Sequence, residues 1–369
     1  MRILHLIDHF ATGGAQILLA DLLRSWPCEN DAFTVVGLGR NRELAERVAA
    51  IRNVEVEVWN RRRWEMASLF GLLRRARAER YDAVHAHLVK SIGAALLLGV
   101  FAKQRTVIHL HGGVEEFPAP LLGVYRALCR MGGATRVVAI SDSMKRFALD
   151  RLGVREERVR LIPNGVPAEM FERPPQGEAV RSELGIPADA LVVGMVGRLV
   201  EQKGVDVFVE AFAQVRESEP KAVGVVVGDG PLRGKLSAMA REEGCAGAFR
   251  FVGWREDVIP YYDAFDIGAV PSKWEPFGIV TLEMMARCIP VVGCAVGGVP
   301  EIIEDGRSGL LVPPRDPRRL ADAVLRLARD AGLRARLGRS GRARALERFR
   351  VDDVARDVRG MYLEMLDDA

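Results

Sequence analysis

Short apolar runs rich in Val and Ile alternate along the chain with longer stretches whose apolar residues recur at helical spacing. In the first half the runs are ILHLI (Ile3 to Ile7), FTVVGL, VEVEVW, AVHAHL, TVIHLH, RVVAIS and RVRLIP. Amphipathic stretches such as AQILLADLLRSW and MASLFGLLRRARAER lie between them. Nearly continuous apolar runs of this length predict strands covered on both faces, and strand-helix alternation predicts parallel sheets. The segment Glu172-Arg173-Pro174-Pro175-Gln176-Gly177 then stops any regular element, because two prolines fix the backbone and remove two donors. A linker is expected there, between a first domain over 1–173 and a second over 178–350.

The second domain repeats the alternation with LVVGMVG, AVGVVVGDG, FRFVGW, IGAVPS, PVVGCA and GLLVP. The pattern predicts an α/β protein built of two doubly wound domains. From Asp316 the chain reads as helical, with an apolar stripe at Leu320, Val324, Leu327 and Leu333 and arginines assigned to the solvated face. A last helix is expected over 351–369, with Val354, Met361 and Leu366 packing on a neighbour. No period of 20 to 50 residues recurs, which excludes a solenoid.

The length of 369 residues agrees with two domains at roughly 150 residues each. A composition of 49% hydrophobic and 28% charged residues is that of a soluble globular chain. The longest stretch without a charged residue or strong breaker, Ser91 to Ala102, falls short of the roughly 20 residues that span a bilayer. Met1-Arg2 leads directly into a strand interrupted by Asp8 and His9, so a secretory signal is not expected and a cytoplasmic location is. Five scattered cysteines fit neither a disulfide framework nor zinc spacing. Residues 1–174 carry 26 basic and 19 acidic side chains, the remainder 27 and 30. A basic first half suits an anionic partner surface, but so small an excess does not make a nucleic-acid binder.

Three loops carry candidate chemistry. GDGPLRGKL resembles a Walker motif but is one residue too long, and Leu236 stands where a magnesium-binding Ser or Thr is needed. It reads as a strand-to-helix turn with Pro231 at the first helical position. In GRLVEQKG, Arg198 ends a strand and Lys203 precedes a helix, so two cations share one loop suited to a diphosphate. In EPFGIVTLE, Glu275, Phe277 and Gly278 form a loop and Ile279 opens a helix whose first amides face an anion. Glu283 lies one turn in, its side chain leaning towards the helix start. Carboxylates repel phosphate but accept bonds from hydroxyls, so the pair with this helix fits a phosphate-bearing, hydroxyl-rich ligand. A nucleotide sugar meets that description.

These segments, with VGDGP, VRLIPNGV, SKWEPFGIVTLEMMARCIPVVGCAVGGVPEIIEDGRSGLLVPPRDP and the earlier TGGAQ, HAH and SDSMK, resemble glycosyltransferase family four. The resemblance runs in order along nearly the whole chain. It implies a GT-B fold, two Rossmann-like domains with a cleft between them and a C-terminal helix crossing back to the first. It also implies a retaining hexosyltransferase, with acceptor binding in the first domain and nucleotide-sugar binding in the second. On this chain Arg198 and Lys203 would hold and stabilise the leaving diphosphate. Glu275 would contact sugar hydroxyls, aided by the amides of Phe277, Gly278 and Ile279, and Glu283 would hold the ribose. His111 would approach the sugar, Gly14 would let the opening loop near the diphosphate, and Arg255 and Glu256 would border the base. TGGAQ departs from the glutamate-containing form common in the family, which leaves the acceptor type open.

All six histidines precede Gly112. Paired imidazoles in H-A-H and H-L-H offer metal ligands in principle, but packed or hydrogen-bonded rings are expected for His5, His9, His85 and His109. His111 differs because it stands at a strand's carboxyl end before two glycines. The chain has no D-x-D pair to hold magnesium on a diphosphate, so neither a metal nor a cofactor is expected beyond the donor itself. The stretch from Arg61 to Arg80 places Trp64, Leu69, Phe70, Leu72 and Leu73 among seven arginines. A core-packed helix is the expectation, with peripheral contact on an anionic membrane as the alternative. The expected reaction moves a sugar from a nucleotide diphosphate donor, a UDP-sugar first and GDP-mannose second, to a hydroxyl of an envelope glycan or glycolipid. A small natural product is the alternative acceptor. An epimerase or a non-catalytic nucleotide-sugar sensor is more remote, since the second domain lacks histidine and the charged loop residues are all present.

Overall fold

Each of the thirteen Val- and Ile-rich runs becomes a parallel strand in the computed structural model, which describes residues 1–59, 71, 72, 74–76, 78–112, 117 and 119–368. The chain divides into two units, Met1–Gly165 with Val351–Ala369, and Val166–Arg350. The break therefore falls at Gly165, eight residues before the expected boundary at 173. The proline-rich segment is instead docked on the second unit, where Gln176 N donates to Asp263 Oδ2 at 3.0 Å and Gly177 opens a helix. Its prolines end elements, as expected, without making it a free linker.

The first unit holds β1 (Arg2–Ile7), β2 (Ala32–Gly37), β3 (Val54–Val58), β4 (Ala83–His87), β5 (Thr106–Leu110), β6 (Arg136–Ala139) and β7 (Val159–Leu161). Among the described residues the strand order is β3-β2-β1-β4-β5-β6-β7. Register pairs His5 with His85, and His87 with His109. Alternate residues of a strand share a face, so this register gathers the histidines of β1, β4 and β5 on one side of the sheet.

The terminal helix Val351–Asp367 belongs to this unit. Val354, Val358, Met361, Tyr362 and Met365 bury against Ile3, Leu19, Leu23, Phe33 and Val35. Arg359 Nε donates to Asp31 Oδ2 at 2.9 Å and locks the helix to β2's start. Met365 takes the buried position expected of Leu366, which is only partly covered. Burying a large apolar side chain contributes about 1.5–3 kcal/mol, so this helix is a structural part of the first core.

The second unit holds β8 (Val192–Val196), β9 (Val223–Val227), β10 (Phe249–Gly253), β11 (Ile267–Val270), β12 (Val291–Cys294) and β13 (Leu310–Val312), in the order β10-β9-β8-β11-β12-β13. Phe208 and Phe212 of the helix Val205–Ser218 pack with Phe249, and Leu320, Val324 and Leu327 join the same core. The arginines after Asp316 do not all face water. Arg342 donates to Ala286 O and Phe171 O at 2.6 and 2.7 Å, and Arg344 to Ile302 O and Glu301 O at 2.7 and 2.9 Å. Helix ends leave carbonyls unpaired, and these guanidinium groups satisfy them.

Of the stretch 61–80, residues 61–70, 73 and 77 lie outside the described residues, so only Leu72 of its named apolar positions is placed, and it is buried. No helix among the described residues is long and apolar enough to cross a membrane.

Candidate functional site

In the second unit the chain leaves β8 towards β9 on one side, while β11 pairs with β8 on the other. Loops at such a reversal of strand order diverge and leave a crevice at the strands' carboxyl ends. The loop after β8 carries Arg198 and Lys203, and the loop after β11 carries Glu275. Gly204 brings them together. Its φ is +60°, and a Cβ there would lie 2.1 Å from Pro271 O, so the two loops touch backbone to backbone. Lys203 Nζ then donates to Glu275 Oε2 at 2.6 Å, and Ser272 Oγ donates to the same oxygen at 3.0 Å. Glu275 Oε1 has no hydrogen-bond partner among the described residues.

Arg198 and Lys203 thus differ more than their shared loop suggests. Lys203 is mostly covered and paired with a carboxylate, whereas the Arg198 guanidinium is exposed and makes no ion pair among the described residues. The turn after β9 packs directly on this loop. A Cβ at Gly228 (φ +134°) would lie 2.0 Å from Gly197 O, and one at Gly230 would lie 2.6 Å from Leu199 O. Those glycines serve close backbone approach rather than a phosphate cradle. Pro231 sits in the turn itself, and the helix begins two residues later at Arg233.

The helix Ile279–Ala286 starts from Gly278, whose φ of +104° is left-handed and which offers no side-chain cap. Its first amides therefore lack a side-chain cap, Thr281 N turning back to Gly278 O at 2.9 Å, and they carry the positive end of the helix dipole. Arg342 sits on the carbonyl of Ala286 at the other end. Phe277 is buried, and Glu283 accepts a 2.5 Å bond from the hydroxyl of wholly buried Tyr262. Arg255 Nε donates to Tyr261 OH at 2.7 Å, and Glu256 is exposed beside it.

Sequence reasoning missed three supports. Gly298 N donates to Glu275 O at 3.1 Å, and a Cβ on Gly297 (φ +52°) would lie 1.6 Å from that same oxygen, so this glycine pair fixes the Glu275 backbone. The signal was present as VGGVP after a strand. Ser272 is visible as a hydroxyl three residues before Glu275. Tyr262 reaches Glu283 from 21 residues away, and nothing local announces it.

In the first unit Gly14 opens the helix Gly14–Arg24, and a Cβ there would meet open space. Gln16, at the position where the family pattern departs, is buried and bonded to His9. His111 joins a column of imidazoles rather than standing alone. His5 Nδ1 lies 3.0 Å from His87 Nε2, His87 Nδ1 lies 2.9 Å from His111 Nε2, and His85 Nδ1 meets Tyr362 OH at 2.5 Å. Burial disfavours the charged ring, pushing His111 down to about 4 and His5 to about 3, with His85, His87 and His109 also well below the usual value. All five are neutral at pH 7. His9 stands outside the column.

Comparison with known proteins assigns both units. Residues 177–344 match the family described as glycosyl transferases group 1, and residues 12–170 match glycosyltransferase family 4. A D-inositol 3-phosphate glycosyltransferase from Acidothermus cellulolyticus is 34% identical over 78% of this chain and 68% of its own. A protein of the same name from Streptomyces bingchenggensis is 30% identical over 78% of this chain and 67% of its own. Among solved structures, Anabaena HepE in complex with UDP aligns with a TM-score of 0.86 at 26% identity, covering 99% of this chain and 100% of the other. Sucrose-phosphate synthase from Thermosynechococcus elongatus aligns at 0.81 and 23% identity over the full length of both, a likeness of fold.

Proposed function

The chain belongs to glycosyltransferase family four, and on that premise we propose that it is a retaining, metal-independent enzyme moving a sugar from a nucleotide diphosphate to a hydroxyl acceptor. Its two doubly wound sheets are of GT-B type. The observation that carries the proposal is the meeting of Arg198, Lys203, Glu275 and an uncapped helix start at one switch point. In this reading the exposed Arg198 guanidinium takes the diphosphate first. Lys203 turns from Glu275 towards the phosphates as they enter, and the helix dipole adds to the neutralisation. Released from Lys203, Glu275 accepts from sugar hydroxyls with both oxygens, and its charge faces the positive character that develops as the glycosidic bond breaks. Glu283, oriented by Tyr262, holds the ribose, and Arg255 and Glu256 border the base. Gly14 and His111 complete the proposed set from the first unit.

Two cations and a dipole balance the leaving group's charge without a metal. In this reading retention comes from attack on the leaving group's own face, the departing phosphate oxygen taking the acceptor's proton. A UDP-sugar is the proposed donor, supported by the HepE structures with UDP, with UDP and glucose, and with UDP-glucose, and GDP-mannose is the second candidate. An envelope glycan or glycolipid at the inner membrane face is the proposed acceptor. A small-molecule acceptor is the second reading, favoured by relatives named for inositol 3-phosphate.

Thermal-shift measurement against a panel of nucleotide sugars tests the donor. A ligand at 100 times its dissociation constant stabilises by about 2.7 kcal/mol, so the true donor raises the melting temperature clearly. A panel in which no UDP- or GDP-sugar shifts the transition would remove the proposal.

A further inference from the structure

The histidine column at the first unit's strand ends has no part in holding the donor beyond His111, and it satisfies its own hydrogen bonds poorly. Both ring nitrogens of His109 are buried without a partner among the described residues, as is His111 Nδ1. A neutral imidazole buried this way gives up hydrogen bonds that water would otherwise supply to each unpaired group. His87, His109 and His111 each offer a ring nitrogen within 4.8 Å of the other two.

We propose that His87, His109 and His111 bind a late first-row divalent cation, Zn²⁺ being the best fit, with its fourth position open to water or an anion. Three imidazoles are borderline-soft donors that suit zinc, cobalt, nickel or copper and not magnesium or calcium. A tetrahedral zinc with bonds of 2.0–2.1 Å needs its nitrogens about 3.3 Å apart. The His87 Nδ1 and His111 Nε2 atoms, now 2.9 Å apart, need open only slightly to admit it. His109 and His111 are stacked at 4.1 Å with an interplanar angle of 16°, so their lone pairs lie in nearly parallel planes and do not converge on one ion. His109 must turn about its side-chain torsions to converge on the metal, and the turn breaks no hydrogen bond among the described residues because His109 makes none there. His87 then coordinates through Nδ1 while Nε2–H donates to His5 Nδ1, the outer support that metal-bound imidazoles ordinarily have. Burial already keeps the rings deprotonated and ready to ligate. Access comes through His111, the one partly exposed member, whereas the inner group of His5, His85 and His87 is sealed.

Occupancy would withdraw His111 from sugar contact, a consequence that rests on the proposed transfer reading. Metal binding does not rest on it, so the test reads binding alone. Untagged protein stripped with a chelator is titrated with Co²⁺, and visible absorption and calorimetry are recorded in the absence of donor. One Co²⁺ per chain with the intense visible bands of a tetrahedral site is expected, displaced by Zn²⁺. Affinity should fall at least tenfold in both His109→Phe and His111→Gln and stay unchanged in His9→Asn, with melting curves confirming that each variant is folded. If His109→Phe does not fold, His111→Gln alone decides. Absence of stoichiometric binding, octahedral spectra, or undiminished affinity in the folded column variants would overturn the site.

Discussion

Replacing Glu275 by Gln keeps the side chain's shape and removes the charge that both Lys203 and, in the proposed reaction, the developing sugar cation face. The stability cost follows from the ion pair. Lys203 and Glu275 are 19% and 10% exposed in their side chains and meet at 2.6 Å. A hydrogen bond to a charged group contributes about 1.5–3 kcal/mol net. The lysine can turn its ammonium to water, which places the loss near the lower value, about 1.5 kcal/mol. For a unit of this size each kcal/mol moves the melting temperature by about 2–4 °C, so the second unit should melt roughly 3–6 °C lower. Turnover should fall on the order of a hundredfold, as when a preorganised electrostatic partner is removed. Affinity for the free nucleoside diphosphate should hold or tighten, because Lys203 is released and the nucleotide carries no sugar for Glu275 to touch. Glu283→Gln should do the reverse, weakening the nucleotide and raising the donor's KM with little change in kcat, since a ribose contact is equal in ground and transition states. Calorimetric titration and steady-state kinetics on both variants separate the two. Equal loss of nucleotide affinity in both, or an intact kcat in Glu275→Gln, would refute the assignment.

Arg198→Ala removes an exposed guanidinium that makes no ion pair among the described residues, so it should leave the melting temperature unchanged while nucleoside diphosphate Kd, read by calorimetry, rises at least tenfold, from a loss of about 1.5–3 kcal/mol. Gly297→Ala forces a Cβ against the Glu275 carbonyl at a left-handed φ, and differential scanning calorimetry should show a lower melting temperature alongside reduced kcat. Deleting 351–369 strips Tyr362 and its apolar neighbours from the first core, so that unit's melting transition should be lost while the second unit still binds nucleotide in a calorimetric titration. Acid should destabilise the first unit early: the five histidines of the column have folded pKa values below the unfolded 6.5, so for each of them the unfolded chain binds more protons as pH falls below that value. Each histidine then costs about 1.4 kcal/mol per pH unit until its folded pKa is passed, near 4 for His111 and near 3 for His5. A denaturant series between pH 7 and 5 reads the slope, and a flat profile would contradict buried neutral rings.

The strands were legible because a sheet covered on both faces demands continuous Val and Ile, and every such run found its place. The unit boundary was less so. Prolines announce where an element stops, but whether the chain there is free or docked depends on distant partners such as Asp263. The arginines after Asp316 misled for the same reason, since Arg342 and Arg344 find carbonyls far away in sequence. At the site, Arg198, Lys203, Glu275 and Glu283 could be read from loop position and helix phase. Their unequal environments could not: the Lys203–Glu275 pair depends on Gly204 pressing against Pro271, and Glu283 depends on Tyr262. The histidine column needed the register of β1, β4 and β5, which local spacing does not contain.

In the proposed reaction, side chains and one helix dipole of the second unit hold a nucleotide diphosphate without a metal. Calorimetric titration of UDP and GDP into the full-length protein in EDTA measures this directly. One of the two nucleotides should bind saturably at one per chain, with an affinity that added magnesium leaves within about twofold and that Arg198→Ala reduces. Failure of both to bind until magnesium or manganese is supplied, or binding that Arg198→Ala leaves untouched, would contradict the account.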